Sequence, residues 1–65
     1  MTHEIIELDY SEVLASYASL EEARRELAEF LAESPEREHE LGLATVDDDG
    51  HAVSVQPAVE LHVTR

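Results

Sequence analysis

The chain has 65 residues, and its sixteen acidic residues against four arginines, with no lysine, give it a formal net charge of −12 at pH 7. This charge disfavours direct binding to nucleic acid or to anionic lipid. No apolar run approaches the roughly 20 residues that span a bilayer, and Met1–Glu4 lacks the start of a signal peptide, so we expect a cytoplasmic protein. The absence of cysteine excludes disulfides and thiolate metal sites in what we expect to be one small domain, residues 1–65.

Two short segments precede the main helix. Glu4–Leu8 is typical of a strand, and Asp9–Ser11 of a turn. Segment 12–18 allows two interpretations, because extending the helix backwards would place Val13 on its apolar stripe, but also Ser16, with Leu14 about 120° from Leu20. A strand avoids this conflict, and we favour it. The strand would run through Val13, Ala15 and Tyr17.

The clearest helix extends from Leu20 to about Ser34. Ser19 followed by Glu22 forms a capping-box pattern, in which side chains satisfy the free amides of the first turn. Apolar residues recur at 3.6-residue spacing and predict one buried stripe. The stripe contains Leu20, Ala23, Leu27, Phe30 and Leu31, all expected in the core.

The opposite side of this helix is acidic. Glu21 and Arg25 are spaced for a favourable ion pair, whereas Glu22–Glu26 and Glu29–Glu33 are spaced for repulsion. The predicted acidic face comprises four helical glutamates and three aspartates of a later turn: Glu22, Glu26, Glu29, Glu33, Asp47, Asp48 and Asp49. After the helix, a short acidic helical turn is expected from Pro35 through Glu40, since proline is tolerated at a first helical position.

A hairpin is expected next. Leu43–Asp48 is typical of a strand, and Asp47–Gly50 of the turn, because Asp and Gly tolerate the positive φ of tight turns. A calcium loop of the EF-hand type would need glutamate where Ala58 stands, so we interpret the aspartates as turn residues.

Segment Leu43–Val53 loosely resembles the first hairpin of the flavin-binding split-barrel proteins. That family usually places a basic residue and then a proline after its glycine, and Ala52 departs from this pattern. We therefore predict no flavin and no other cofactor.

The C-terminal stretch alternates apolar and polar residues from His51 to Thr64. Extended, thirteen residues would span roughly 43 Å, longer than the roughly 28 Å diameter of a domain of this size. We therefore expect either a bend at Pro57 or pairing of the strand's end with another chain. Ala52–Val59 is uncharged and β-prone, a hazard if left exposed. The predicted association surface comprises Val53, Val55, Pro57, Val59, Leu61 and Val63.

No catalytic or metal-binding pattern emerges. The histidines at positions 3, 39, 51 and 62 have no i, i+4 or H-x-H spacing. His51 and Ser54 fall on opposite faces of a strand, which disfavours a nucleophilic site. We predict no catalytic residues, no metal and a protein that is not an enzyme.

Two interpretations of the acidity stay open. Residues 1–50 carry fifteen acids and three arginines, whereas 51–65 carry only Glu60 and Arg65. An acidic surface without lysine is typical of a halophilic-type protein, since cations screen its carboxylates. Alternatively, the carboxylates imitate nucleic acid and occupy a basic partner.

The expected fold is α+β, with one amphipathic helix on a small antiparallel or mixed sheet in the order β-β-α-β-β. The second strand, the helix and the third strand could form a right-handed parallel crossover. Because a domain this small has a marginal core, we expect a non-enzymatic homo-oligomeric module that binds protein. Its expected partner is a second copy of itself, in a dimer, and the alternative partner is another protein. The second hypothesis is an acidic inhibitor or antitoxin-like protein, and the third a small-molecule or metal-binding protein.

Overall fold

The computed structural model describes residues 1–61 and has an α+β fold. The predicted order β-β-α-β-β is confirmed, with a 3-10 turn after the main helix and a short second helix at the end. The elements are β1 (Thr2–Glu7), β2 (Glu12–Tyr17), α1 (Leu20–Glu33), the 3-10 turn (Pro35–His39), β3 (Leu41–Val46), β4 (Ala52–Pro57) and α2 (Ala58–Leu61).

The four strands form one sheet in the order β2-β1-β3-β4, and every neighbouring pair is antiparallel. Because β2 and β3 both run antiparallel to β1, they run in the same direction as each other. Helix α1 joins them across β1. The two strands are therefore parallel, as the predicted crossover requires, and β1 lies between them.

Helix α1 covers one face of the sheet and supplies three of the seven residues of the core cluster. It begins as predicted, because the Ser19 hydroxyl accepts a hydrogen bond from the Glu22 amide at 3.2 Å. Its buried residues pack against β1, β3 and the start of α2. The core cluster contains Ile5, Ala23, Leu27, Leu31, Leu41, Leu43 and Ala58. Within residues 1–61, only four of the large side chains are almost completely buried, so the core of this part of the chain is small.

The apolar stripe of α1 is narrower than predicted. Phe30, expected in the core, is 39% exposed, and Leu20 is exposed as well. The Arg37 guanidinium lies over the Phe30 ring, 6.0 Å from its centroid. The predicted Glu21–Arg25 ion pair is not formed in the described part of the chain. Only the innermost residues of α1 thus pack on the sheet, and the Phe30 ring lies at the border of this contact.

Strand β2 resolves the ambiguity of segment 12–18 in favour of a strand, but with an irregularity. Ala15 pairs with Ile5, whereas Val13 pairs with Ile6, and Leu14 is left out of the register. This β-bulge reverses the alternation, because two residues of β2 then oppose one of β1. As a result Val13 lies on the side of the sheet away from α1, while Ala15 and Tyr17 lie on the α1 side.

The expected long C-terminal strand is two elements. Strand β4 ends at Pro57, and the chain then turns into α2, which begins with the fully buried Ala58. Leu61, three residues later, packs against the core. A straight strand over 51–63 would exceed the molecule's longest dimension, 33 Å. Of the two expected outcomes, a bend at Pro57 is the one observed.

The β3–β4 connection is the predicted acidic hairpin turn. The Gly50 amide donates to the Asp47 carbonyl at 3.0 Å, and Gly50 has φ +87°. A three-residue loop with glycine in this left-handed conformation is a common hairpin geometry. Strand β3 begins and ends two residues earlier than expected, at Leu41 and Val46.

Candidate functional site

In the described part of the chain, the face of the sheet away from α1 carries no helix and is largely apolar. Cross-strand pairing places Val55 opposite Ala44 and Ala44 opposite Glu4, while Ile6 lies opposite both Val13 and Gly42. These alternate with the core residues, so they share the outer side. We call this side of the sheet the helix-free face; it includes Glu4, Ile6, Val13, Gly42, Ala44 and Val55, of which Ile6, Gly42 and Ala44 are buried.

Part of the helix-free face is closed by the chain itself. A Cβ atom on Gly42 would lie 2.7 Å from the Leu8 side chain and 2.9 Å from the Gln56 carbonyl oxygen. The Leu8 amide donates to the Glu40 carbonyl at 2.7 Å, which fixes the backbone at this point. Glycine is therefore needed at position 42 because Leu8 and β4 approach the backbone too closely for a side chain.

Strand β4 is exposed on both faces. It is an edge strand, and every residue from Ala52 to Gln56 is solvent-exposed, with Val53 at 57% and Val55 at 49%. Edge strands present unpaired backbone N–H and C=O groups that can pair with another chain. The segment Ala52–Val59 also carries no charge, in a chain with net charge −12. We call the side of β4 that pairs with no other strand of the sheet the β4 edge.

The six residues predicted as an association surface separate into two groups. Val53 and Val55 lie on β4 and are exposed. Pro57, Val59 and Leu61 are half-buried, and Leu61 packs against the monomer core. Because the chain turns at Pro57, the described residues of this predicted surface lie on two elements, β4 and α2. The sixth residue, Val63, lies outside the described residues.

The predicted acidic face is also divided. Three glutamates of α1 surround Phe30 and Ser34 in an open cavity of about 250 Å³. The three aspartates belong to the hairpin turn, on another element. The glutamates in the cavity are Glu26, Glu29 and Glu33.

Tyr17 reports the electrostatics beside α1. Burial raises the pKa of its phenol, and the carboxylates of Glu26, Glu22 and Glu29 raise this pKa further, because they disfavour a phenolate nearby. The last turn of α1 contains no basic residue, although a helix C-terminus favours cations. The carboxylates of Glu22, Glu26 and Glu29 thus lie close enough to act on one phenol, and none of them forms an ion pair within residues 1–61.

The hairpin turn brings together Asp47, Asp49 and His51, whose potential ligand atoms lie within 4.8 Å of one another. The sequence reasoning considered the aspartates and the histidines separately and missed this grouping; the alternating D-x-D-x-H spacing could have revealed it. One oxygen of Asp47 already accepts hydrogen bonds from the Asp49 and His51 amides, each at 2.9 Å. That carboxylate therefore organises the turn.

The other described histidines lie apart from this group. His3 lies at 3.2 Å from the Thr45 hydroxyl across β1 and β3, and His39 is exposed at the end of the 3-10 turn. His62 lies outside the described residues. Ser54 lies on exposed β4 with no hydrogen bond to a histidine within residues 1–61.

Comparison with protein-family models, with curated proteins and with solved structures gives no match to this chain. No helix within residues 1–61 is long and apolar enough to cross a membrane. The candidate functional site therefore rests on exposure, charge and strand pairing. The β4 edge differs from the rest of the described surface because it is both exposed and uncharged.

Proposed function

We propose that the chain is a small non-enzymatic homo-oligomeric module that binds protein, and first of all a second copy of itself, through β4. The observation that carries this proposal is the exposure of Ala52–Gln56 on a neutral edge strand. An exposed strand of this kind is an aggregation hazard unless another surface covers it. A limited, symmetric contact between copies removes that hazard.

The distribution of charge supports a second copy as the occupant. Fifteen of the sixteen acids precede His51, so most approaches of two copies bring carboxylates together. Contact through β4 avoids this repulsion, because Ala52–Val59 is neutral. Because the core of the monomer is small, burying further apolar surface on association would stabilise the fold.

The proposal is tested by sedimentation equilibrium on two lysine variants of equal charge change. Val55→Lys adds a charge to the exposed strand, and we expect it to reduce the mass towards 7.3 kDa. Ala32→Lys adds the same charge to an exposed position of α1 and should leave the mass unchanged. Circular dichroism establishes that both variants are folded. Equal behaviour of the two folded variants would contradict a role of β4.

A second candidate function is an acidic inhibitor that occupies a basic partner surface. The cavity around Phe30 favours it, since Glu26, Glu29 and Glu33 have no ion-pair partner within residues 1–61. The three carboxylates suit an arginine or lysine side chain of a partner, in addition to Arg37, which already lies over the Phe30 ring. Such binding would weaken steeply with salt.

Charge reversal separates the two candidates. Replacing Glu26, Glu29 and Glu33 with lysine should abolish capture of a basic protein if the acidic surface is the functional one. Self-association through β4 should persist in this variant, because none of the three lies on that strand. We expect self-association to be retained; capture of a basic partner that the reversal abolishes would favour the inhibitor.

A further inference from the structure

We infer that two copies join edge to edge, with β4 of one protomer antiparallel to β4 of its partner, so that the two sheets form one eight-stranded sheet. This inference rests on the proposed self-association and specifies its geometry. It follows from comparing four surfaces that a second copy could contact: the outer side of α1, the helix-free face, the β2 edge and the β4 edge.

The outer side of α1 is excluded by charge. Glu22, Glu26 and Glu29 recur at i, i+4 and i+7, so they lie on one side of the helix, and none of them has an ion-pair partner within residues 1–61. Two such regions facing each other would repel, and α1 offers only Arg24 and Arg25 as cations. Like charges brought together at an interface are strongly unfavourable.

The helix-free face is disfavoured by Glu4. This half-buried residue lies in the interior of the sheet, between Ser16 of β2 and Ala44 of β3. It has no ion-pair partner within the described residues. Stacking two copies face to face would remove two carboxylates from water without compensation, which is costly.

The β2 edge is a poor template. Its bulge at Leu14 divides the strand near its middle, and Glu12 lies directly opposite Glu7 at one end. Bulges and charges are the features that protect edge strands from pairing. Strand β4 has its own irregularity, since Val53 is left out between Ala52 and Ser54. This bulge lies near the turn, however, and leaves Ser54–Pro57 regular and uncharged.

Symmetry and charge both select the antiparallel orientation. A twofold axis perpendicular to the sheet relates identical edge strands in opposite directions and leaves each face on its own side. The acidic turns of the two protomers then lie at opposite ends of β4, about 20 Å apart, which exceeds the Debye length of about 10 Å at 0.1 M salt. A parallel arrangement would place six aspartates together.

In this dimer, the twofold axis determines which residues of the two β4 strands meet. Directly opposed residues of antiparallel strands point to the same side of the sheet. Around a twofold axis, one residue near the middle of β4 must therefore lie opposite the same residue of the partner. That residue is Ser54 or Val55. Both protomers also place α1 on the same side of the joined sheet. A contact of one strand is at the small end of protein interfaces, so we expect micromolar affinity.

Single-cysteine cross-linking tests the inference, since the chain has no cysteine of its own. Directly opposed residues of antiparallel strands have Cα atoms about 4.5–5.5 Å apart, within the range of a disulfide. Under mild oxidation we expect Ser54→Cys or Val55→Cys to form a covalent dimer at least about ten times faster than Val13→Cys, an exposed valine on the helix-free face near the other edge.

Sedimentation of the reduced variants separates the possible failures. Dimers with preferential cross-linking at position 54 or 55 support the edge-to-edge geometry. Dimers that cross-link best through Val13→Cys, or equally at all three positions, overturn this geometry but leave self-association intact. A monomer at all concentrations would overturn the proposed function, and the inference with it.

Discussion

The Arg37 guanidinium lies 2.8 Å from the Glu7 carboxylate, and this ion pair joins the 3-10 turn to β1. Both side chains are largely covered, with 29% and 19% of their surfaces exposed. Arg37 also donates to Glu40 at 3.4 Å and lies over the Phe30 ring. One of the few cations of this chain therefore holds the segment between α1 and β3 against the sheet.

Replacing Arg37 with methionine should lower the free energy of unfolding by about 1–2 kcal/mol, because the partly buried Glu7 carboxylate loses its charged donor. Arg25→Met is the matched control: it removes the same charge from an exposed residue that forms no ion pair within residues 1–61. Urea denaturation compares the two variants. Equal losses would mean that net charge, rather than the Arg37–Glu7 contact, sets the effect.

The hairpin turn should depend on the acceptor oxygen of Asp47. Asp47→Ala removes the acceptor of the Asp49 and His51 amides and should lower the free energy of unfolding by about 1 kcal/mol. Asp47→Asn keeps an acceptor in the same place and should retain most of the stability. Thermal denaturation of both variants measures the difference. If the two are equally destabilised, the negative charge rather than the hydrogen bonding of this carboxylate organises the turn.

Stability should decrease in strongly alkaline solution because of Tyr17. The folded-state pKa of the Tyr17 phenol is raised above the ordinary value near 10. The stability that the neutral phenol contributes is therefore fully present below about pH 10 and is lost as the pH rises through the folded-state pKa. Tyr17→Phe should flatten the loss of stability above about pH 10, whereas the exposed Tyr10→Phe should not. Ultraviolet titration of the phenols together with denaturation at each pH measures both effects. An unchanged pH profile in Tyr17→Phe would contradict this assignment.

Stability should increase with salt. The formal charge of −12 on a small domain is self-repulsive, and the Debye length falls from about 10 Å at 0.1 M to about 3 Å at 1 M. We expect the melting temperature in about 2 M KCl to exceed that in 0.1 M by about 5–10 °C. A variant with Glu29 and Glu33 replaced by glutamine should gain less. A flat or falling curve would show that the carboxylates are already compensated and would remove the halophilic interpretation.

Local signals in the sequence predicted much of the fold. Ser19 identifies the helix start because its hydroxyl can satisfy a free amide, and Gly50 identifies the turn because the hairpin requires positive φ. Leu27 and Leu31 were correctly expected in the core, since residues four apart share a helix face. Each of these inferences depends only on neighbouring residues.

The inferences that failed depend on how elements meet. The spacing of Phe30 fits the apolar stripe, but the spacing cannot show that the ring is left partly exposed when α1 packs on the sheet. Val13 changes face through a bulge that alternation does not reveal. The alternation after Pro57 continues through a helical turn, in which Ala58 and Leu61 point inward at i, i+3 spacing. The sequence also does not reveal that Glu4 lies in the interior of the sheet, because this depends on the pairing of β1 with β2 and β3.

Sedimentation equilibrium of the unmodified chain over a wide range of micromolar concentrations tests the central claim most directly. We expect the weight-average mass to rise above 7.3 kDa with concentration and to approach twice that value. Because the contact is uncharged and apolar burial is strengthened by salting-out ions, the association should persist or strengthen as salt rises. A mass of 7.3 kDa at every concentration and salt would contradict self-association through β4.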